Sequence, residues 1–135
     1  MKLNNLGLTL LRVVLGAIFL AHGIQKMQSG LDKIAGFFGS VGVPSWLAYP
    51  VGYIEVIGGI VLILGLGTRV VSALLAVIMV GATVSVKLQN GLVGGYELEL
   101  MLFAVSAFFV LSGQSGLTVL NLFGAGKKTG AIAKN

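Results

Sequence analysis

Apolar residues gather into four long stretches, from about Leu6 to Ile24, Trp46 to Leu64, Val70 to Val86 and Leu98 to Leu111, while most polar residues fall at the joints between them. A bilayer core about 30 Å thick is crossed by roughly 20 helical residues, and only a helix satisfies its own backbone within one such stretch. The pattern therefore predicts an all-α integral membrane protein, a bundle of four transmembrane helices. Gly65-Leu66-Gly67-Thr68-Arg69 is so short a joint that the second and third spans must be antiparallel neighbours. Pro44-Ser45 opens the second span, with Ser45 expected as its N-cap and Pro50 tolerated near the start. Between the first two spans, Leu31, Ile34, Phe38 and Val41 recur at steps of three and four, while Asp32, Lys33 and Ser40 fall elsewhere. That spacing predicts a short amphipathic helix in the membrane interface or tucked into the mouth of the bundle.

Two charges interrupt the apolar pattern. Arg12 and Glu55 each stand inside a span, where a charge costs roughly 2.5–3.5 kcal/mol and therefore needs a partner. Arg12, Gly16, Phe19, Gly23 and Lys26 share one face of the first helix, and Glu55, Gly58, Gly59 and Leu62 share one face of the second. Arg12 and Glu55 are thus expected to pair, either as an ion pair that pins the two helices or as the lining of a pocket that binds a polar head group or relays a proton. The glycines on these faces, with Ala73, Ala76 and Gly81 on the third helix, predict close helix approach.

A second polar group forms at the opposite end of the bundle, where His22 and Lys26 meet Lys87, Gln89, Asn90, Glu97 and Glu99. It reads either as a solvated rim or as a site where His22 exchanges protons and Glu97 orients Lys26, Lys87 or a ligand. Glu97 and Glu99 point about 200° apart on a helix, so at most one faces inward. Glu97 is expected to be that one, because Met101, Ala104 and Phe108 continue its face. The candidate catalytic residues are Glu55, His22 and Arg12, and the candidate ligand-binding residues are Lys26, Glu97 and Lys87.

Composition narrows the chemistry. Mean hydropathy is +1.01 and only 10% of residues are charged, against about 25% in an ordinary soluble domain. One membrane domain over 1–124 and a flexible basic tail over 125–135 account for the whole chain. With no cysteine and one histidine, neither an iron–sulfur cluster nor a bis-histidine haem is expected, and no phosphate loop or metal-ligand spacing is present. The net charge of +5 reflects membrane topology rather than nucleic acid. Lys2, Arg69, Lys127, Lys128 and Lys134 outnumber Lys26, Lys33 and Lys87 on the other side, which places both termini in the cytoplasm and Trp46, Tyr49 and Tyr96 at the outer interface. Arg12 interrupts the first apolar run and no small-x-small cleavage site follows, so that run is expected to stay as a signal anchor.

The runs Leu11-Arg12-Val13-Val14-Leu15-Gly16, Phe19-Leu20-Ala21-His22-Gly23-Ile24-Gln25-Lys26, Gly42-Val43-Pro44, Glu55-Val56-Ile57-Gly58-Gly59, Gly65-Leu66-Gly67-Thr68-Arg69 and Gly95-Tyr96-Glu97 resemble the DoxX family of small bacterial membrane proteins. The likeness extends to about Gly124, and the matching polar positions are Arg12, His22, Lys26, Glu55 and Glu97. It implies a four-helix protein of the bacterial cytoplasmic membrane, an oxidoreductase or a subunit of one. Some relatives look like the membrane part of thiosulfate:quinone oxidoreductase, and others accompany resistance to catechols, quinones or thiol stress. The leading expectation is therefore a quinone-linked redox protein in the lipid bilayer that takes electrons from a soluble partner or a diffusible reductant. The alternatives are a non-enzymatic scaffold for a soluble redox enzyme and a small exporter of toxic aromatic solutes. A homodimer built through the glycine faces is a further expectation.

Overall fold

A computed structural model describes residues 2–87, 91–113, 115–118 and 120. Four helices among them are long and apolar enough to cross a membrane, over Leu3–Ser29, Ser45–Leu64, Thr68–Ser85 and Leu92–Ser112. The elements are α1 (Lys2–Ser29), α2 (Leu31–Ser40), α3 (Ala48–Leu64), α4 (Thr68–Ala82) and α5 (Glu97–Ser112). No strand occurs among the described residues. The tail over 125–135, Gln89, Asn90 and the Lys87 side chain lie outside the described part.

The bundle is two antiparallel pairs, α1 on α3 and α4 on α5, joined chiefly where α3 meets α4. Small residues set the first pair. A Cβ on Gly16 would lie 2.7 Å from the Gly59 carbonyl oxygen, one on Gly59 would lie 2.7 Å from the Gly16 oxygen, and one on Gly23 would lie 2.8 Å from the Val56 nitrogen. The glycine faces are therefore used inside the chain, which withdraws the argument that they build a homodimer. Gly81, expected at a close contact, faces open space instead. Leu8, Leu15, Phe19, Leu62, Leu75, Met79, Leu102 and Phe109 fill the centre.

The amphipathic spacing between the first two spans becomes α2, with Leu31 seated over Gly52 and the Tyr49 hydroxyl donating to the Asp32 carboxylate. Ser45 does not cap α3. It opens a tight turn over Ser45–Leu47 that leads into the helix without a side-chain cap. Pro50 falls in the first turn of α3, where its missing N–H breaks no ladder bond. At the other end of α3, Gly65 takes a positive φ of 82° and its N–H reaches the Val61 and Leu62 carbonyls, closing the helix before α4 begins.

Candidate functional site

The two buried charges are not partners. Glu55 has no exposed surface, and both of its carboxylate oxygens accept from Lys26 Nζ, Oε1 at 2.7 Å. Lys26 lies in the last turn of α1, and the absent side chain at Gly23, one turn earlier, lets α1 approach the backbone at Glu55 and Val56. Arg12 was out of reach for a plain reason: the helices are antiparallel, so Arg12 meets the far end of α3. The Lys26 side chain keeps a quarter of its surface exposed, so the pair joins the interior of the bundle to its edge.

Arg12 is 2% exposed and serves the end of a helix. Its Nε donates to the Leu62 carbonyl at 2.7 Å, its Nη2 to the Ile63 carbonyl at 3.2 Å, and its Nη1 to the Ser115 carbonyl. A guanidinium among the last carbonyls of α3 answers both their unpaired lone pairs and the negative end of the helix dipole. Arg69 repeats the device on α5, donating from Nε to the Val110 carbonyl at 2.8 Å. Neither role was read from the sequence, because which carbonyl an arginine meets depends on helix register.

At the Lys26 end, His22 is half-buried and its Nδ1 lies 2.8 Å from the Ile18 carbonyl. A carbonyl only accepts, so Nδ1 carries the proton and Nε2 keeps its lone pair in the neutral ring. Glu97 does not face inward. It is exposed and accepts the Gly94 N–H at 3.0 Å, closing the start of its own helix. The chain kinks just before, with Gly94 at φ 75°, which sets the rotation of α5. Its buried face is Leu102, Ser106 and Phe109, whereas Met101 and Phe108 are exposed to the lipid side. Glu99 shares that buried face by spacing, and its Oε1 is buried with no hydrogen-bond partner among the described residues. Glu99 is therefore the acid that sequence reasoning chose against. Lys87 is the one candidate ligand residue whose side chain lies outside the described part.

Among the described residues, no group of three or more His, Cys, Asp or Glu side chains could hold a metal ion. An apolar groove of about 240 Å³ opens between α3 and α4, lined by Pro50, Tyr53, Ile57, Val61, Val71 and Leu74 among others. Tyr53, Ile57 and Val61 put most of its lining on the side of α3 away from Glu55, and Gly58 on the Glu55 face borders it. What the site assembles is thus a buried carboxylate held by a partly accessible ammonium, with an imidazole one turn along α1.

Comparison with known proteins places the chain in a family and among relatives. The DoxX family profile matches residues 7–88. The chain is 39% identical over 132 residues to a Bacillus subtilis protein named "Putative oxidoreductase CatD", covering 98% of each chain. It is 33% identical over 122 residues to an uncharacterized Haemophilus influenzae protein, covering 86% of this chain and 90% of that one. It is also 36% identical over 88 residues to an uncharacterized membrane protein of Mycobacterium tuberculosis, covering 64% of this chain and 54% of that one. No solved structure matches.

Proposed function

The chain belongs to the DoxX family of membrane proteins, and from that premise we propose that it is a membrane oxidoreductase, or the membrane subunit of one, that reduces a lipid-soluble quinone at the Lys26–Glu55 pair. The Bacillus subtilis relative carries the name of an oxidoreductase, which supports the reaction class. The observation that carries the quinone reading is the pair itself: a carboxylate with no exposed surface, bonded through both oxygens to an ammonium that keeps a quarter of its surface open. An isolated charge could not persist at that depth, and a paired one that reaches the edge of the bundle can meet a polar ring arriving from the lipid.

Reduction of a quinone to a quinol adds two electrons and two protons, one proton to each ring oxygen. The electrons come from a soluble partner or a diffusible reductant. Lys26 hydrogen-bonds one ring oxygen through the ammonium proton not given to Glu55, stabilising the charge that develops there, and water at its exposed edge supplies both quinol protons, so Lys26 ends as it began. Glu55 keeps the ammonium charged and fixed, and His22 offers Nε2 for proton exchange with the surface. Arg12 stays with the carbonyls of α3 and Ser115, outside this chemistry.

Extraction of the protein purified in native lipid, beside Lys26→Gln and Glu55→Gln variants, tests the reading. Near-stoichiometric quinone in the parent, lost from both variants while their helix content holds, is the expected result. Quinone absent from the parent, or retained in both variants, would falsify it.

A further inference from the structure

Three hydroxyls lie inside the bundle without a hydrogen-bond partner among the described residues. Ser72 on α4 and Ser106 on α5 have no exposed surface, and Thr68, one turn before Ser72, is 4% exposed. A hydroxyl in a helix ordinarily bonds the carbonyl one turn back, as Thr9 does with Asn5 at 2.7 Å. Ser72 and Ser106 do not, Thr68 opens its helix and has no such carbonyl behind it, and the lipid around the bundle offers none of them a partner.

The register of α4 against α5 sets two of them at a common depth. Arg69 Nε donates to the Val110 carbonyl at 2.8 Å, and Gly113 lies against the same guanidinium. The helices are antiparallel, so Ser72, about a turn beyond Arg69, and Ser106, about a turn before Val110, stand at one level. Both belong to the buried faces, beside Leu75 on α4 and Leu102 and Phe109 on α5. Thr68 continues this polar line to the end of the bundle where Arg12 meets the Ser115 carbonyl.

We infer that Ser72 and Ser106, approached past Thr68, form a buried site for one small hydrogen-bonding molecule, with water as its resident. A water takes two to four partners, and each hydroxyl can both donate and accept, so one water between the serines satisfies both. Leu75, Leu102 and Phe109, which share the buried faces of the two serines, are apolar and fully or almost fully buried, and so offer a larger guest no polar partner. A water there gives the centre of the bundle a group able to receive and return a proton. This site stands independently of the quinone reading, since it uses other helices and other residues.

Radiolytic hydroxyl labelling with mass spectrometry, on the protein in native-lipid discs, reads the site directly because radicals form where water is bound. Phe109 has no exposed surface, and it is expected to be labelled in the parent and to fall to background in Ser72→Ala/Ser106→Ala, while labelling of exposed Phe103 holds. Background labelling of Phe109 in the parent, or labelling unchanged in the variant, overturns the inference. Should the double variant not fold, the parent's Phe109 decides alone, and the single variants give a second reading. Each single alanine is expected to lower the melting temperature, whereas hydroxyls left without a partner would make each one raise it.

Discussion

At the scale of single residues, Glu55 shows how burial decides what a charge can do. Its carboxylate is tolerable only because Lys26 meets both oxygens. Removing the lysine should therefore hurt more than removing the acid. Lys26→Met is expected to cost about 3 kcal/mol, the low end for a broken buried pair because Lys26 itself is partly exposed. Lys26→Met/Glu55→Leu is expected to recover most of that loss, since an apolar pair of similar size avoids the uncompensated charge. Thermal unfolding of the four combinations in lipid discs measures it, and equal losses in the single and double variants would count against the pair. Arg12 differs in kind, because its partners are carbonyls that no single acid replaces.

Between elements, packing depends on what is missing. The carbonyls of Gly16 and Gly59 each stand 2.7 Å from where the other's Cβ would be, so α1 and α3 touch backbone to backbone. Gly16→Ala or Gly59→Ala is expected to cost about 1–3 kcal/mol by forcing the helices apart. The Lys26–Glu55 bonds should lengthen with that separation, and quinone retention should fall in step. Gly81→Ala, at a position facing open space, is the matched control and should leave stability within about 0.5 kcal/mol or raise it. Equal effects at Gly16 and Gly81 would show that α1 and α3 can move apart freely. At the far side, the kink at Gly94 and the bond from its N–H to Glu97 set which face of α5 turns inward.

Over the whole molecule, the two helix pairs are stitched at one end by Arg12, which holds both the end of α3 and the chain beyond α5. From the excess of lysine and arginine near the termini and the Gly65–Arg69 joint, that end is expected to face the cytoplasm. Because the chain has no cysteine, each single cysteine introduced reports without a background. Ser40→Cys is expected to react with an impermeant maleimide in intact cells and Asn4→Cys only after permeabilisation; both residues are exposed. The reverse pattern would invert the topology and bring the Lys26–Glu55 end to the cytoplasmic face.

Hydropathy, span length and turn chemistry are local properties, so the chain by itself determined four spans, the antiparallel joint at Gly65–Arg69, the short helix over Leu31–Ser40 and the buried faces of α1 and α3. It also marked Arg12, Glu55, His22 and Lys26 as the polar residues that a lipid-solvated chain must account for. Which of them meet was another matter. Antiparallel register carried Arg12 to the carbonyls at the end of α3 and brought Lys26 to Glu55, and a kink at Gly94 turned Glu99 rather than Glu97 inward. Nothing in the sequence marks Ser72 and Ser106, whose burial comes from helix packing. Partners lie far apart along the chain, and only tertiary structure fixes the rotation and depth at which two helices face each other.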